Sequence, residues 1–121
     1  MNVFDASALL AYLRQEAGSD VVREKLRTGG LCGSANWAEV AQKVRSAGAD
    51  WAVSRALLLS YDLSIEPVSQ ADAETAAVLW RAGSGLSLAD RLCLALTQRV
   101  AGTVFTADVE WHGLPGVELI R

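Results

Sequence analysis

The sequence predicts an α/β fold in which a mainly parallel sheet is covered by helices on both faces. Three observations carry that prediction. Short apolar runs alternate with longer stretches of helical periodicity along the whole chain, which is the pattern of βα units with parallel strands. The 121 residues are 51% hydrophobic and 21% charged, so they can bury a core without metals or disulfides as staples. The longest stretch free of Asp, Glu, Lys and Arg, Thr28 to Ala38, falls short of the roughly 20 apolar residues a membrane span needs.

Asn2-Val3-Phe4-Asp5 is read as the first strand. Ala6 to Arg14 is helical through Leu9, Leu10 and Leu13, with Gly18 as its stop. Ser19 to Arg27 is a second helix with Val22 and Leu26 inward, and its Arg23, Lys25 and Arg27 suit a solvated face. Gly29-Gly30 is a turn, and Leu31 to Ser34 a second strand. Trp37, Val40, Ala41 and Val44 define a helix from Asn36 to Ala47, ended by Gly48. Trp51 to Ser60 is another, and its Leu57-Leu58-Leu59 cannot all face one core. Leu63 to Val68 is the third strand, with Pro67 marking its end or an edge position. Gln70 to Arg81 is helical through Ala73, Ala76, Ala77 and Trp80, and Gly83-Ser84-Gly85 breaks the chain. Ser87 to Ala101 shows Leu88, Leu92 and Leu96 on one face, and Gly102 stops it. Thr103 to Thr106 is the fourth strand, Asp108 to Trp111 a single helical turn, and Val117 to Ile120 the last strand. Trp37, Trp51 and Trp80 are expected mostly in the core.

One domain over residues 1–121 follows from the length. Asp5 interrupts the N-terminus where a secretory leader would be apolar, so a cytoplasmic protein is expected. Cys32 and Cys93 stand in unrelated contexts and support neither a disulfide framework nor zinc. The net charge of −3 does not exclude a phosphate-rich partner: with four acids gathered on a cation, ten would remain against eleven bases.

Four acids occupy the carboxyl ends of predicted strands, where ligands bind in such folds. Asp5 ends the first strand, and Glu39 is expected in the opening turn of the helix after the second. Asp90 lies in the opening turn of the helix leading to the fourth strand, and Asp108 follows that strand. Each has a structural reading alone. Ser87-Leu88-Ala89-Asp90 reads as a capping box, Asn36-Trp37-Ala38-Glu39 resembles one, and Asp5 or Asp108 can be N-caps. Together they would crowd one cleft, where two charges about 4 Å apart repel by roughly 4 kcal/mol at an effective dielectric near 20. Either the acids lie apart, or protons or cations neutralise them. Oxygen ligands without His or Cys favour Mg²⁺ or Mn²⁺ over zinc.

Val3-Phe4-Asp5-Ala6-Ser7-Ala8-Leu9-Leu10, Asn36-Trp37-Ala38-Glu39-Val40, Leu86-Ser87-Leu88-Ala89-Asp90 and Thr106-Ala107-Asp108 occur in that order. This ordered set resembles the acidic motifs of PIN-domain ribonucleases, specifically VapC-type toxins of prokaryotic toxin–antitoxin pairs. The resemblance implies a three-layer α/β/α sandwich with four to five strands and a Mg²⁺- or Mn²⁺-dependent endoribonuclease. It also implies an RNA substrate, a homodimer and a cognate antitoxin. It places Asp5, Asp90, Glu39 and Asp108 as catalytic metal ligands. Ser7 and Thr106 would orient carboxylates, and Arg91 would contact phosphate or pair with an acid. Glu110 stands where a basic residue is common in that pattern, and so alters the charge at the rim. Sole His112 reads as a loop residue, and Cys93 as a core packer.

Three other classes compete. A phosphoacceptor receiver domain needs an Asp after the third strand and a Lys near the last, but Asp62 precedes that strand and the lysines are Lys25 and Lys43. A catalytically silent module of the same fold, and a DNA nuclease on a related fold, are separated from the ribonuclease only by assay.

Overall fold

A computed structural model describes residues 1–121. In chain order it contains β1 (Asn2–Phe4), α1 (Ala6–Leu13), α2 (Ser19–Arg27), β2 (Gly30–Gly33), α3 (Ser34–Ser46) and α4 (Trp51–Leu59). These are followed by β3 (Leu63–Glu66), α5 (Gln70–Val78), α6 (Leu88–Arg99), β4 (Thr103–Thr106), a 3-10 turn at Val109–Trp111 and β5 (Val117–Leu119). The strands form one sheet in the order β3-β2-β1-β4-β5, and every neighbouring pair is parallel. The chain winds from β1 outward to β3, then returns to the other side of β1. Its direction reverses between β1 and β4, the position where open parallel sheets form a crevice at their carboxyl ends.

Side-chain alternation along each strand builds the three layers. Phe4, Cys32 and Phe105 face one way and join residues of α1 to α4, including Leu9, Val22, Val40 and Leu58. Val3, Leu31 and Val104 face the other way and meet Cys93, Leu94 and Leu96 of α6, with Trp111 from the 3-10 turn. The β1–β4 register sets Phe4 beside Phe105, and their rings stack 5.8 Å apart. On the second face, Arg99 of α6 holds Asp72 of α5 at 2.8 Å and reaches Glu66 of β3 at 3.6 Å. The guanidinium keeps the Asp72 carboxyl below its ordinary range. No helix is long and apolar enough to cross a membrane.

Several expectations need correction. The first helix stops at Leu13, and Gly18 instead precedes α2; Gln15 already turns left-handed, at φ 54°. Gly30 belongs to β2 rather than to the turn. α5 ends at Val78, so Trp80 lies outside it and is 60% exposed. Leu88 is the first residue of α6 and is 59% exposed, although its periodicity pointed inward. Trp37 and Trp51 are partly buried and pack edge-to-face at 5.1 Å, pinning α3 to α4.

Gly30 is set by space. A Cβ there would lie 2.6 Å from the Asn2 carbonyl oxygen and 2.8 Å from the Phe4 ring. Gly30→Ala is therefore expected to destabilise the fold by about 1–3 kcal/mol in urea denaturation, the usual range for overpacking. A variant as stable as wild type would show that β1 and β2 can separate freely.

Candidate active site

Asp5 follows β1 directly and caps α1, its Oδ1 accepting the Ala8 N–H at 2.8 Å. Two hydroxyls complete its surroundings. Ser7 Oγ donates to the carboxylate at 2.8 Å, and Thr106 Oγ1 donates to Oδ2 at 2.6 Å. Each hydroxyl also accepts a backbone N–H, Ser7 from Ala107 at 2.9 Å and Thr106 from Asp108 at 3.0 Å. A hydroxyl has one hydrogen, so accepting from the backbone leaves that hydrogen for Asp5. This network stitches the start of α1 to the end of β4. It also uses three of the roughly four acceptor positions of a carboxylate, leaving one.

Asp5 is 4% exposed. Burial raises its pKa to about 6, against the lowering effect of Thr106, Ala8 and Ser7, and the Asp90 charge adds to the rise. Desolvation wins because donors that stabilise the anion do not replace all the water it lost.

Asp90 sits in the first turn of α6 and forms the capping box with Ser87. Its Oδ2 accepts the Ser87 N–H at 3.0 Å, and Ser87 Oγ accepts the Asp90 N–H at 3.1 Å. Burial again pushes the carboxyl up; the Ser87 bonds oppose this, and the charges of Glu39 and Asp108 reinforce it. Asp108 caps the 3-10 turn, its Oδ1 accepting the Glu110 N–H at 2.9 Å. Glu39 Oε2 accepts from Lys43, one turn along α3, at 3.2 Å.

All four acids lie at the carboxyl edge of the sheet, around the β1–β4 reversal, with Asp90 as their electrostatic hub. Two details depart from the sequence reading. α3 begins at Ser34 with Gly33 as its cap, so Glu39 lies in the second turn, beyond the reach of a cap or of the helix dipole. Asn36 is accordingly no cap. Nor do any three acidic, His or Cys side chains approach closely enough to cage an ion as they stand. Each carboxylate is turned onto its own local donor, the lower-energy arrangement for like charges in one cleft.

The pattern of commitment is regular. Asp90, Asp108 and Glu39 each have one oxygen tied to a local donor and the other, Oδ1, Oδ2 and Oε1 respectively, without a protein partner. Those three oxygens, with the one remaining acceptor position on Asp5, are open to a hard cation. The chemistry of this donor set fits Mg²⁺ or Mn²⁺. Burial pushes both Cys32 and Cys93 thiols up, so neither offers a thiolate.

Arg91 does not join the cluster. Its Nη1 donates to the Ala76 carbonyl of α5 at 2.8 Å, so it braces α5 against α6 instead of pairing with an acid. His112 is exposed at the end of the 3-10 turn. Asn36, passed over as a cap, is buried and donates to the Ala89 carbonyl beside Asp90 at 3.3 Å.

A family model for the PIN domain matches residues 3–116. No curated protein matches the chain. Among solved structures, a toxin–antitoxin complex from Klebsiella pneumoniae is similar over 100% of this chain and 98% of that one, with a TM-score of 0.79 and 22% identity. At that identity the likeness establishes the fold.

Proposed function

The chain belongs to the PIN-domain family, whose members are generally nucleases, and from that premise we propose that it is a divalent-metal-dependent endoribonuclease acting as the toxin of a toxin–antitoxin pair. One observation carries the reading: four carboxylates from four separate elements lie at one sheet edge, three of them with an oxygen that has no protein partner and Asp5 with one acceptor position left. Helix capping does not account for Glu39 in a second turn, nor for an anion at Asp5 that burial makes unfavourable.

Asp5 and Asp90 would hold the cation, Asp108 would complete its surroundings, and Glu39 would join directly or through water. When bound, a hard divalent ion supplies a water activated for attack and neutralises charge developing on the phosphodiester. Ser7 and Thr106 hold Asp5 in one orientation, because both hydroxyl hydrogens are spent on it. Lys43 pairs with Glu39 Oε2 at 3.2 Å and leaves Oε1 without a protein partner. No Ser, Cys or His stands as a covalent nucleophile, which fits hydrolysis by water.

The test is cleavage of single-stranded RNA with Mg²⁺ or Mn²⁺. Scission should require the metal and stop with EDTA. Cleavage of DNA instead of RNA would reassign the substrate, and metal binding without scission of either would make the chain a silent PIN module.

The partners follow the same reading: a cognate antitoxin, for which the toxin–antitoxin complex of similar fold is the support, and a second copy of this chain. Val53 and Leu57, one turn apart on α4, are 65% and 43% exposed, while Leu58 is fully buried. That stripe is the apolar surface offered to a homodimer. Sedimentation at micromolar concentration should give a dimer, and Leu57→Glu should shift it to monomer. A wild-type monomer would remove the pairing.

A further inference from the structure

We infer that Asn36 is a positioning residue that fixes the separation of Glu39 and Asp90 by locking helix α3 to the first turn of α6. The inference rests on the metal-nuclease reading above and names a residue outside the acidic cluster on which the cluster's geometry depends.

Glu39 and Asp90 come from helices far apart in sequence, so something must set their spacing. Between α3 and α6 the single side-chain hydrogen bond is Asn36 Nδ2 donating to the Ala89 carbonyl, at 3.3 Å, immediately before Asp90. Asn36 itself is three residues before Glu39 on the same rigid helix. The bond therefore joins the backbones of the two acids through one buried amide.

Packing does not account for an asparagine here. The side chain is 2% exposed, and its Oδ1 has no hydrogen-bond partner. Only the donor end of this amide is bonded to protein, so its link to the rest of the fold is the bond to Ala89. Helix capping does not account for it either, since Oδ1 leaves the Gly33 N–H alone. The small cavity beside it, about 10 Å³ and shared with Gly33, Leu92 and Leu96, has the size of about one water and is too tight for a larger ligand. What remains is the donor side of the amide.

Gly33 points the same way independently. Its φ of −65° and ψ of 147° suit any residue, so its backbone does not require glycine. A Cβ there would lie 3.1 Å from Asn36 Oδ1. The missing side chain leaves room for the Asn36 amide.

The experiment measures Mn²⁺ affinity by calorimetry and melting temperature in EDTA. Asn36→Leu should fold with a melting temperature close to wild type, yet bind Mn²⁺ about tenfold more weakly, the lower end of what losing a group that orients metal ligands costs. Val44→Ala, a core truncation at the far end of α3, should melt lower but bind Mn²⁺ within about twofold of wild type. Folded Asn36→Leu with wild-type affinity would overturn the inference, as would an equal loss in Val44→Ala. Should Asn36→Leu fail to fold, Gly33→Ala decides: weakened binding supports the role and unchanged binding overturns it. Wild-type protein that binds no Mn²⁺ would overturn the metal reading itself, a distinct result.

Discussion

Asp5→Asn protein is expected to lose RNA cleavage by more than about a hundredfold, since even the partners of metal ligands are worth 10- to 100-fold. At pH 7.5 in EDTA it should nonetheless be more stable than wild type, by about 1–3 kcal/mol in urea denaturation. The two effects share one cause. Asp5 is buried, and burial raises its pKa to about 6, so at pH 7.5 the fold carries an ionised group it disfavours. Asparagine removes the charge and keeps the shape. Its Oδ1 can still accept the Ala8 N–H, and Asn is as good an N-cap as Asp. Its Nδ2 would face Thr106 Oγ1, which can accept and turn its own hydrogen toward Ser7 Oγ, 3.1 Å away. A variant that keeps its activity would remove Asp5 from the site. One that is inactive but much less stable would mean that the carboxylate serves the fold.

That combination of roles explains which parts of the site could be read from residues alone. Asp5 directly follows an apolar run and Asp108 follows another after one residue, and parallel strands deliver such positions to one edge. The Ser87–Asp90 spacing reports a helix start, and the structure has that capping box. The order of acids along the chain places Glu39, but its setting depends on where α3 begins. The cap of α3 is Gly33, which has no side chain to announce a helix start, while Ser34 and Asn36, both residues of capping type, lie inside the helix. The end of α5 was hidden for a related reason. Between Val78 and Gly83 no Gly or Pro marks a stop, and the helical pattern runs on through Trp80.

Strand alternation was visible as well, but the order β3-β2-β1-β4-β5 was not. The apolar runs of β1, β2 and β4 are alike because all three are buried on both faces, so their composition does not distinguish neighbours. The reach of long side chains was equally hidden. Arg91 is next to Asp90 in sequence, yet helical geometry sends neighbours about 100° apart, and its guanidinium ends on α5. Adjacency along a helix is a poor guide to pairing, whereas the four-residue spacing of Glu39 and Lys43 is a good one.

In EDTA, wild-type stability relative to Asp5→Asn should fall as pH rises from about 4 to 7, by about 3 kcal/mol in all. The sign follows from proton uptake. The folded carboxyl titrates near 6 and the unfolded one near 3.8, so between those values the native state holds a proton that the unfolded state has released. Stability is then lost with rising pH and levels off above 6. The Asp72–Arg99 pair works in the opposite direction, but in a different window. Its carboxyl is held below its ordinary value, so its contribution disappears only on further acidification, and it cancels in the comparison with Asp5→Asn. Saturating Mn²⁺ should nearly cancel the slope. A cation competes with the proton for Asp5, and at about one hundred times its dissociation constant it adds about 2.7 kcal/mol to the folded state. That gain should be full near pH 7.5 and fade as pH falls below 6. Asp5→Asn should show little of it at any pH. A metal-induced stabilisation as large at pH 5 as at pH 7.5, or one retained by Asp5→Asn, would place the ion somewhere other than beside Asp5.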